Sequence, residues 1–273
     1  MACSRQHRLL KIVCYCDFEW VAKPILQSRG QAAGADAVEP KQSRADLVYS
    51  ALREAILEQA LRPGTKLSED VIAEQFAVSR TSVRAALQQL RGDGLIELQA
   101  NKGASVSEPT AEDARDIFAL RRMLEAEVVH RLAGQLSERD CGRLRAHVEQ
   151  EKQAQSVGGP ASIRLAGEFH ILLAELTGSP SLTRFVREIV SRGSLILARF
   201  ARDHSSECAV DEHERIIAAL QAGDTSAAEE LMLRHLEAVA VRADLQAPPT
   251  RGDTADILKR YAERRGLLAS TGR

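Results

Sequence analysis

The stretch Leu67–Val106, LSEDVIAEQFAVSRTSVRAALQQLRGDGLIELQANKGASV, decides the fold. Ser68 is placed to cap a first helix, on which Val71, Ile72 and Phe76 recur at helical spacing. The chain turns at Ala77-Val78, Ser79 caps a second helix, and Val83, Ala86, Leu87 and Leu90 form its inward stripe. That stripe leaves Arg80, Thr81, Ser82, Arg84 and Gln88 pointing outward. After Gly92-Asp93-Gly94, Leu95–Leu98 and Ala104–Val106 flank Asn101-Lys102-Gly103 and read as two strands about a turn. Helix, turn, basic helix and glycine-tipped hairpin in this order form a winged helix-turn-helix, with Lys102 at the tip of the wing.

The charge agrees with that reading locally and not globally. Residues 41–110 carry nine Lys/Arg against nine Asp/Glu, yet from Arg80 through Arg91 there are three arginines and no acid. Short hydroxyls and guanidinium groups at a helix N-terminus suit phosphates and base edges of a DNA major groove. The whole chain of 273 residues has a formal net charge of −1, so its overall balance points to no polyanionic partner.

Composition bounds the rest. With 44% hydrophobic and 27% charged residues, the chain reads as globular material of one or two domains, and 4% aromatics points to Leu and Ala helix packing. Cys3, Cys14, Cys16, Cys141 and Cys208 are odd in number and lack the spacing of a zinc ribbon or a disulfide scaffold, which implies a reducing, cytoplasmic setting. No apolar run approaches the roughly 18 to 20 residues that span a bilayer, so no membrane partner is expected. Residues 1–40 read as a poorly ordered extension without a cleavage pattern.

From Thr110 onward the pattern is helical throughout. Thr110 caps a helix reaching about Gly134, Ser137-Glu138-Arg139-Asp140 opens a second with capping-box spacing, and 156–160 is a loop. Further helices are expected over 161–177, 181–203, 210–221 and 225–243. The fold class is therefore mainly α, a winged helix-turn-helix over 41–109 followed by an all-α bundle over 110–245. Residues 246–273 form a polar C-terminal tail with one helix, Thr254–Arg264, to which no role is assigned.

Three histidines carry the chemistry of the bundle. At 3.6 residues per turn His170 shares a face with Ile163, Leu173 and Ala174, His213 with Ile216, Ile217 and Leu220, and His235 with Leu231, Met232 and Val239. All three point inward from separate helices, so a shared polar site is expected. Three neutral imidazoles suit zinc or nickel with positions left open for water or an effector oxygen. The alternative is a metal-free pocket in which they hydrogen-bond an anionic ligand directly.

Two resemblances sharpen these readings. Ser79-Arg80-Thr81-x-Val83-Arg84-x-Ala86-Leu87, Gly94-Leu95 and Asn101-x-Gly103-Ala104-x-Val106 resemble the DNA-binding domain of GntR regulators across residues 44–107. The resemblance implies DNA contacts by Arg80, Thr81, Ser82 and Arg84, with Gly103 of the wing approaching the minor groove. Asp70 stands where members of that family often carry a basic, DNA-contacting residue. Glu168-Phe169-His170, Glu212-His213-x-x-Ile216, Ala219-Leu220-x-x-Gly223-Asp224 and His235-Leu236 resemble the FCD effector domain across 113–243. That domain implies a divalent metal held by the three histidines and an Asp four residues before the first, with a small carboxylate effector beside it.

The chain departs from the FCD pattern in two places. The Asp position is Ala166, and Ser179 replaces a common Asn. Glu168 does not substitute, since two residues along a helix rotate a side chain by about 200°. Arg121, in Arg121-x-x-Leu124-Glu125, pairs either with an effector carboxylate or with Glu125 one turn on. The expected function is a DNA-binding regulator, a repressor by resemblance, acting as a homodimer on a pseudo-palindromic double-stranded operator and modulated by a small organic acid. The alternatives are a metal-dependent hydrolase built on the three histidines and a ligand-free DNA-binding dimer. Against the hydrolase, His213-Glu214 lacks the second histidine of an H-E-x-x-H helix, and no nucleophile or phosphate-loop motif stands out, so the chain is not expected to be an enzyme.

Overall fold

The computed structural model describes residues 42–99, 103–156, 161–200, 207–242 and 254–267; the expected N-terminal extension and Lys102 lie outside them. The described residues open with α1 (Arg44–Leu57), β1 (Lys66–Leu67), α2 (Glu69–Gln75), α3 (Arg80–Gly92), β2 (Ile96–Gln99) and β3 (Gly103–Val106). Caps set these boundaries. Ser43 and Asp46 form a capping box on α1, Ser68 accepts from Val71 N, and Ser79 Oγ accepts from Ser82 N at 3.1 Å. In the tight turn Ala77 takes φ +49°, and Arg44 Nη1 donates to its carbonyl at 3.0 Å. The sheet has three antiparallel strands in the order β1-β3-β2, with Ile96 opposite Val106 and Leu67 opposite Ala104. The sequence revealed only the outer hairpin, because a two-residue strand has no periodicity to read.

Among the described residues the remaining helices are α4 (Ala111–Leu132), α5 (Glu138–Ser156), α6 (Ala161–Leu176), α7 (Pro180–Phe200), α8 (Glu207–Ala222), α9 (Thr225–Arg242) and α10 (Thr254–Arg264). Thr110 with Asp113 caps α4, and Ser137 with Asp140 opens α5, at the expected positions. Helices α4 to α9 enclose one apolar cluster that includes Ile117, Val129, Leu144, Phe169, Val186, Ile217 and Met232. A second cluster fills the winged unit with Leu52, Ile56, Ile72, Phe76, Val83, Leu90, Leu95 and Val106, and Leu195 of α7 belongs to it.

Helix α10 is not a bystander in a polar tail. It packs on α1 and α2, and Ile257, Leu258, Tyr261 and Ala262 complete the winged unit's core. Its polar face, with Arg265 just past its last residue, answers two buried acids of the winged unit. Tyr261 Oη donates to Glu58 Oε2 at 2.6 Å, Arg265 Nη2 lies 2.8 Å from Glu54 Oε2, and Arg264 Nη1 lies 3.2 and 3.3 Å from Glu54 and Glu58. A second set of pairs ties α1 to α6: Arg53 Nη1 to Glu168 Oε1 at 2.8 Å, and Arg164 to Glu58 at 3.3 Å and to Glu168 at 2.8 Å. Leu258 is fully buried, so Leu258→Ala is expected to destabilise the protein by about 2–5 kcal/mol. Urea unfolding of the two proteins measures this, and an unchanged midpoint would detach α10 from the winged core.

Candidate functional site

Two sites were expected, and they lie in different parts of the fold. On α3 the inward stripe Val83, Ala86, Leu87 and Leu90 is buried, which turns Arg80, Thr81, Arg84 and Gln88 to solvent. Ser82 is half-buried, its hydroxyl 3.0 Å from Ser79 Oγ. Gly103 begins β3 at φ +83° opposite Gln99, with open space where a Cβ would stand. A side chain there would be strained by the left-handed backbone, so glycine shapes the wing at this point. Neither arginine stands alone: Arg80 Nη2 lies 2.6 Å from Asp70 Oδ1, and Arg84 Nε lies 2.8 Å from Glu69 Oε2.

The bundle brings the three histidines together. Helices α6, α8 and α9 supply His170, His213 and His235, which are 4%, 0% and 2% exposed. Their Nε2 atoms converge, His235 Nε2 standing 3.2 Å from that of His170 and 3.3 Å from that of His213. Phe169 stacks on His213 with centroids 3.9 Å apart and fixes that ring's plane.

Each imidazole is anchored through its other nitrogen. His213 Nδ1 meets Glu151 Oε2 at 2.8 Å, His235 Nδ1 meets Glu212 Oε2 at 2.7 Å, and His170 Nδ1 meets Glu125 Oε2. An ionised partner such as Glu125 favours a proton on Nδ1 of its imidazole, which leaves that ring's Nε2 lone pair facing the other two rings. Lone pairs at such separations repel unless a proton or a cation lies among them. Three imidazoles held in this way fit a divalent ion, and Ala166, one turn before His170, adds no fourth protein ligand.

The carboxylates are what sequence reasoning missed. Glu151 had a legible signal, since Cys141, Leu144, Val148 and Glu151 are the buried residues of α5 and follow its inward spacing. Glu212 gave none: it neighbours His213 in sequence but serves His235 across the α8–α9 pair. Arg121 takes the local partner, donating Nε to Glu125 Oε1 at 2.7 Å, and its buried Nη2 has no hydrogen-bond partner.

Burial and charge set the protonation states. Burial pushes His170 down from 6.5 to about 4 against the pull of Glu125, and burial together with the other histidines holds His213 well below 6.5. Burial would raise Glu125, but Arg121 and His170 outweigh it and bring its pKa to about 2. Glu151 has no guanidinium beside it, so burial, with the charge of Glu168, raises it from 4.5 to about 9.

The comparisons with known proteins bear on both sites. Residues 44–106 match "Bacterial regulatory proteins, gntR family", and residues 116–238 match the "FCD domain". The chain belongs to the GntR family. This GntR-FCD regulator is 30% identical over 195 residues to an HTH-type transcriptional regulator of Streptomyces ambofaciens, covering 70% of this chain and 81% of that one. It is 28% identical over 207 residues to the HTH-type transcriptional repressor RspR of Escherichia coli, covering 74% and 90%. A crystal structure of a GntR transcriptional regulator from Rhodococcus sp. RHA1 superposes with a TM-score of 0.64 at 28% identity, covering 74% of this chain and 98% of that one. The family's members regulate transcription and are not enzymes, so the hydrolase alternative falls.

A pH dependence follows from the buried groups. Below 6.5 the unfolded chain protonates His170 and His213 while the folded chain does not, and Glu151 offsets only one of these protons, so stability falls on acidification from 6.5 towards 4.5. Above neutrality the folded chain keeps a proton on Glu151 that the unfolded chain has lost, so stability falls as pH rises towards about 9. Chelator-treated protein is expected to unfold at the highest denaturant concentration near neutral pH, with slopes up to ~1.4 kcal/mol per pH unit on either side. A profile flat across that window would contradict these protonation states.

Proposed function

We propose that this GntR-FCD protein is a repressor that binds a pseudo-palindromic operator as a homodimer, and that a small organic acid sensed at the three-histidine centre weakens the binding. The observation that carries the sensing half is the convergence of the three Nε2 atoms, each imidazole anchored to its own glutamate; Arg121, with a buried Nη2 that has no hydrogen-bond partner, is linked to His170 through Glu125. His170, His213 and His235 would hold a zinc or nickel ion, which supplies positive charge and open positions for a chelating carboxylate. Arg121 adds a guanidinium edge for the same anion while Glu125 fixes its orientation.

The operator half rests on the exposed face of α3, with Arg80, Thr81, Ser82 and Arg84 towards the major groove and Gly103 in the wing. One winged unit reads few base pairs, so two-fold pairing is needed to reach useful specificity. Exposed Met123 and Leu120 on α4, 71% and 47% accessible, offer apolar surface for a second copy. Repression follows the relative in Escherichia coli, whose name states that role. An effector that prefers a conformation with mis-spaced recognition helices lowers operator affinity by linkage, by roughly 1–3 kcal/mol.

Untagged protein reconstituted with zinc or nickel is expected to retain close to one ion per chain by elemental analysis, and His213→Ala to lose it while binding DNA as before. Equal occupancy in the variant would remove the three-histidine centre as the metal site. Arg80→Ala is expected to weaken operator binding by about 1–3 kcal/mol with unchanged folding. A mobility-shift titration that finds equal affinity would take Arg80 out of the DNA contact set.

A further inference from the structure

The two helices of the helix-turn-helix are linked by parallel ion pairs on the surface that must meet DNA. Glu69 and Asp70 are consecutive residues in the first turn of α2, and Arg84 and Arg80 lie one turn apart on α3. Side-chain exposure is 64% and 62% for Arg80 and Asp70, and 66% and 35% for Arg84 and Glu69. Exposed pairs of this kind add little to folding, so stability does not account for them. Two carboxylates beside a polyanion also oppose binding, which makes their position on this face a cost in raw affinity.

Each pair engages one edge of a guanidinium on α3. An unrestrained guanidinium on a long side chain reaches phosphates, which every DNA sequence presents. Held by one edge, it keeps another for a bidentate contact with a fixed acceptor pair such as guanine O6 and N7. Arg84 is held through Nε, which leaves its terminal edge for a base, and Arg80 is held through Nη2.

We propose that Asp70 and Glu69 are specificity-determining positioning residues, which withhold Arg80 and Arg84 from phosphates and present them to base edges at the expense of non-specific affinity. The inference rests on the operator-binding reading above. A competing role exists, since acids in the first turn of α2 also favour the helix dipole.

The test uses the full chain and a random-sequence duplex library, from which the wild type selects an enriched duplex. Fluorescence anisotropy then compares that duplex with a scrambled one of the same composition for wild type, Asp70→Asn, Arg80→Ala and the double variant. Asp70→Asn is expected to bind the scrambled duplex about five- to tenfold more tightly, with a log-salt slope steeper by about one, while the enriched duplex shifts less than about threefold. In the Arg80→Ala background the same substitution should leave selectivity unchanged. Equal strengthening of both duplexes would reduce Asp70 to plain repulsion and overturn the proposal. A lower melting temperature with unaltered selectivity would do so in favour of the helix dipole. If the wild type enriches no sequence, operator binding itself fails and the positioning role with it, a result distinct from loss of that role alone.

Discussion

Three imidazole nitrogens meeting inside an apolar bundle form the constraint around which the C-terminal half is organised. Buried neutral histidines are costly unless their polar atoms are answered, and here each Nδ1 has a glutamate from a different helix: Glu125 of α4, Glu151 of α5 and Glu212 of α8. The centre therefore ties five helices, α4, α5, α6, α8 and α9, through polar contacts inside an otherwise apolar cluster. Displacing any one of these helices breaks a polar contact of the centre, so the bundle is specified in register as well as in composition.

The same helix that brings His170 to this centre also faces the winged unit. Glu168 lies two residues earlier, rotated to the other side of α6, where it accepts from Arg53 of α1 and from Arg164. Arg164 continues the chain of contacts to Glu58, which Tyr261 and Arg264 of α10 also reach. Glu54 and Glu58, each 8% exposed, would be destabilising without these partners, because a buried carboxylate stripped of its counter-charge bears the full desolvation penalty. A movement of α6 at the histidine centre thus meets the first helix of the DNA-binding unit through direct ionic contacts.

Electrostatics differ between the two sites for a physical reason. In the bundle, burial magnifies every charge, and the presence or absence of a guanidinium decides whether a glutamate is held near 2 or pushed to about 9. On α3 the pairs stand in solvent, where their energy is small and their geometric effect on the arginines matters more.

Local pattern determined much of this protein. The apolar spacing of Ile72, Phe76, Val83, Leu87 and Leu90, the caps at Ser68, Ser79, Thr110 and Ser137, and the glycine-tipped hairpin are signals between near neighbours, and they place the recognition helix and the inward faces of all three histidines. Contacts between residues distant in the chain carry no such signal. That Nδ1 of His235 would meet Glu212, that Glu69 and Asp70 would hold the recognition arginines, and that Thr254–Arg264 would close the winged core were decided by tertiary packing. The physical reason is separation: periodicity says which face of a helix turns inward, while the partner that meets it there is chosen only when helices up to 210 residues apart come together, as Glu54 and Arg264 do.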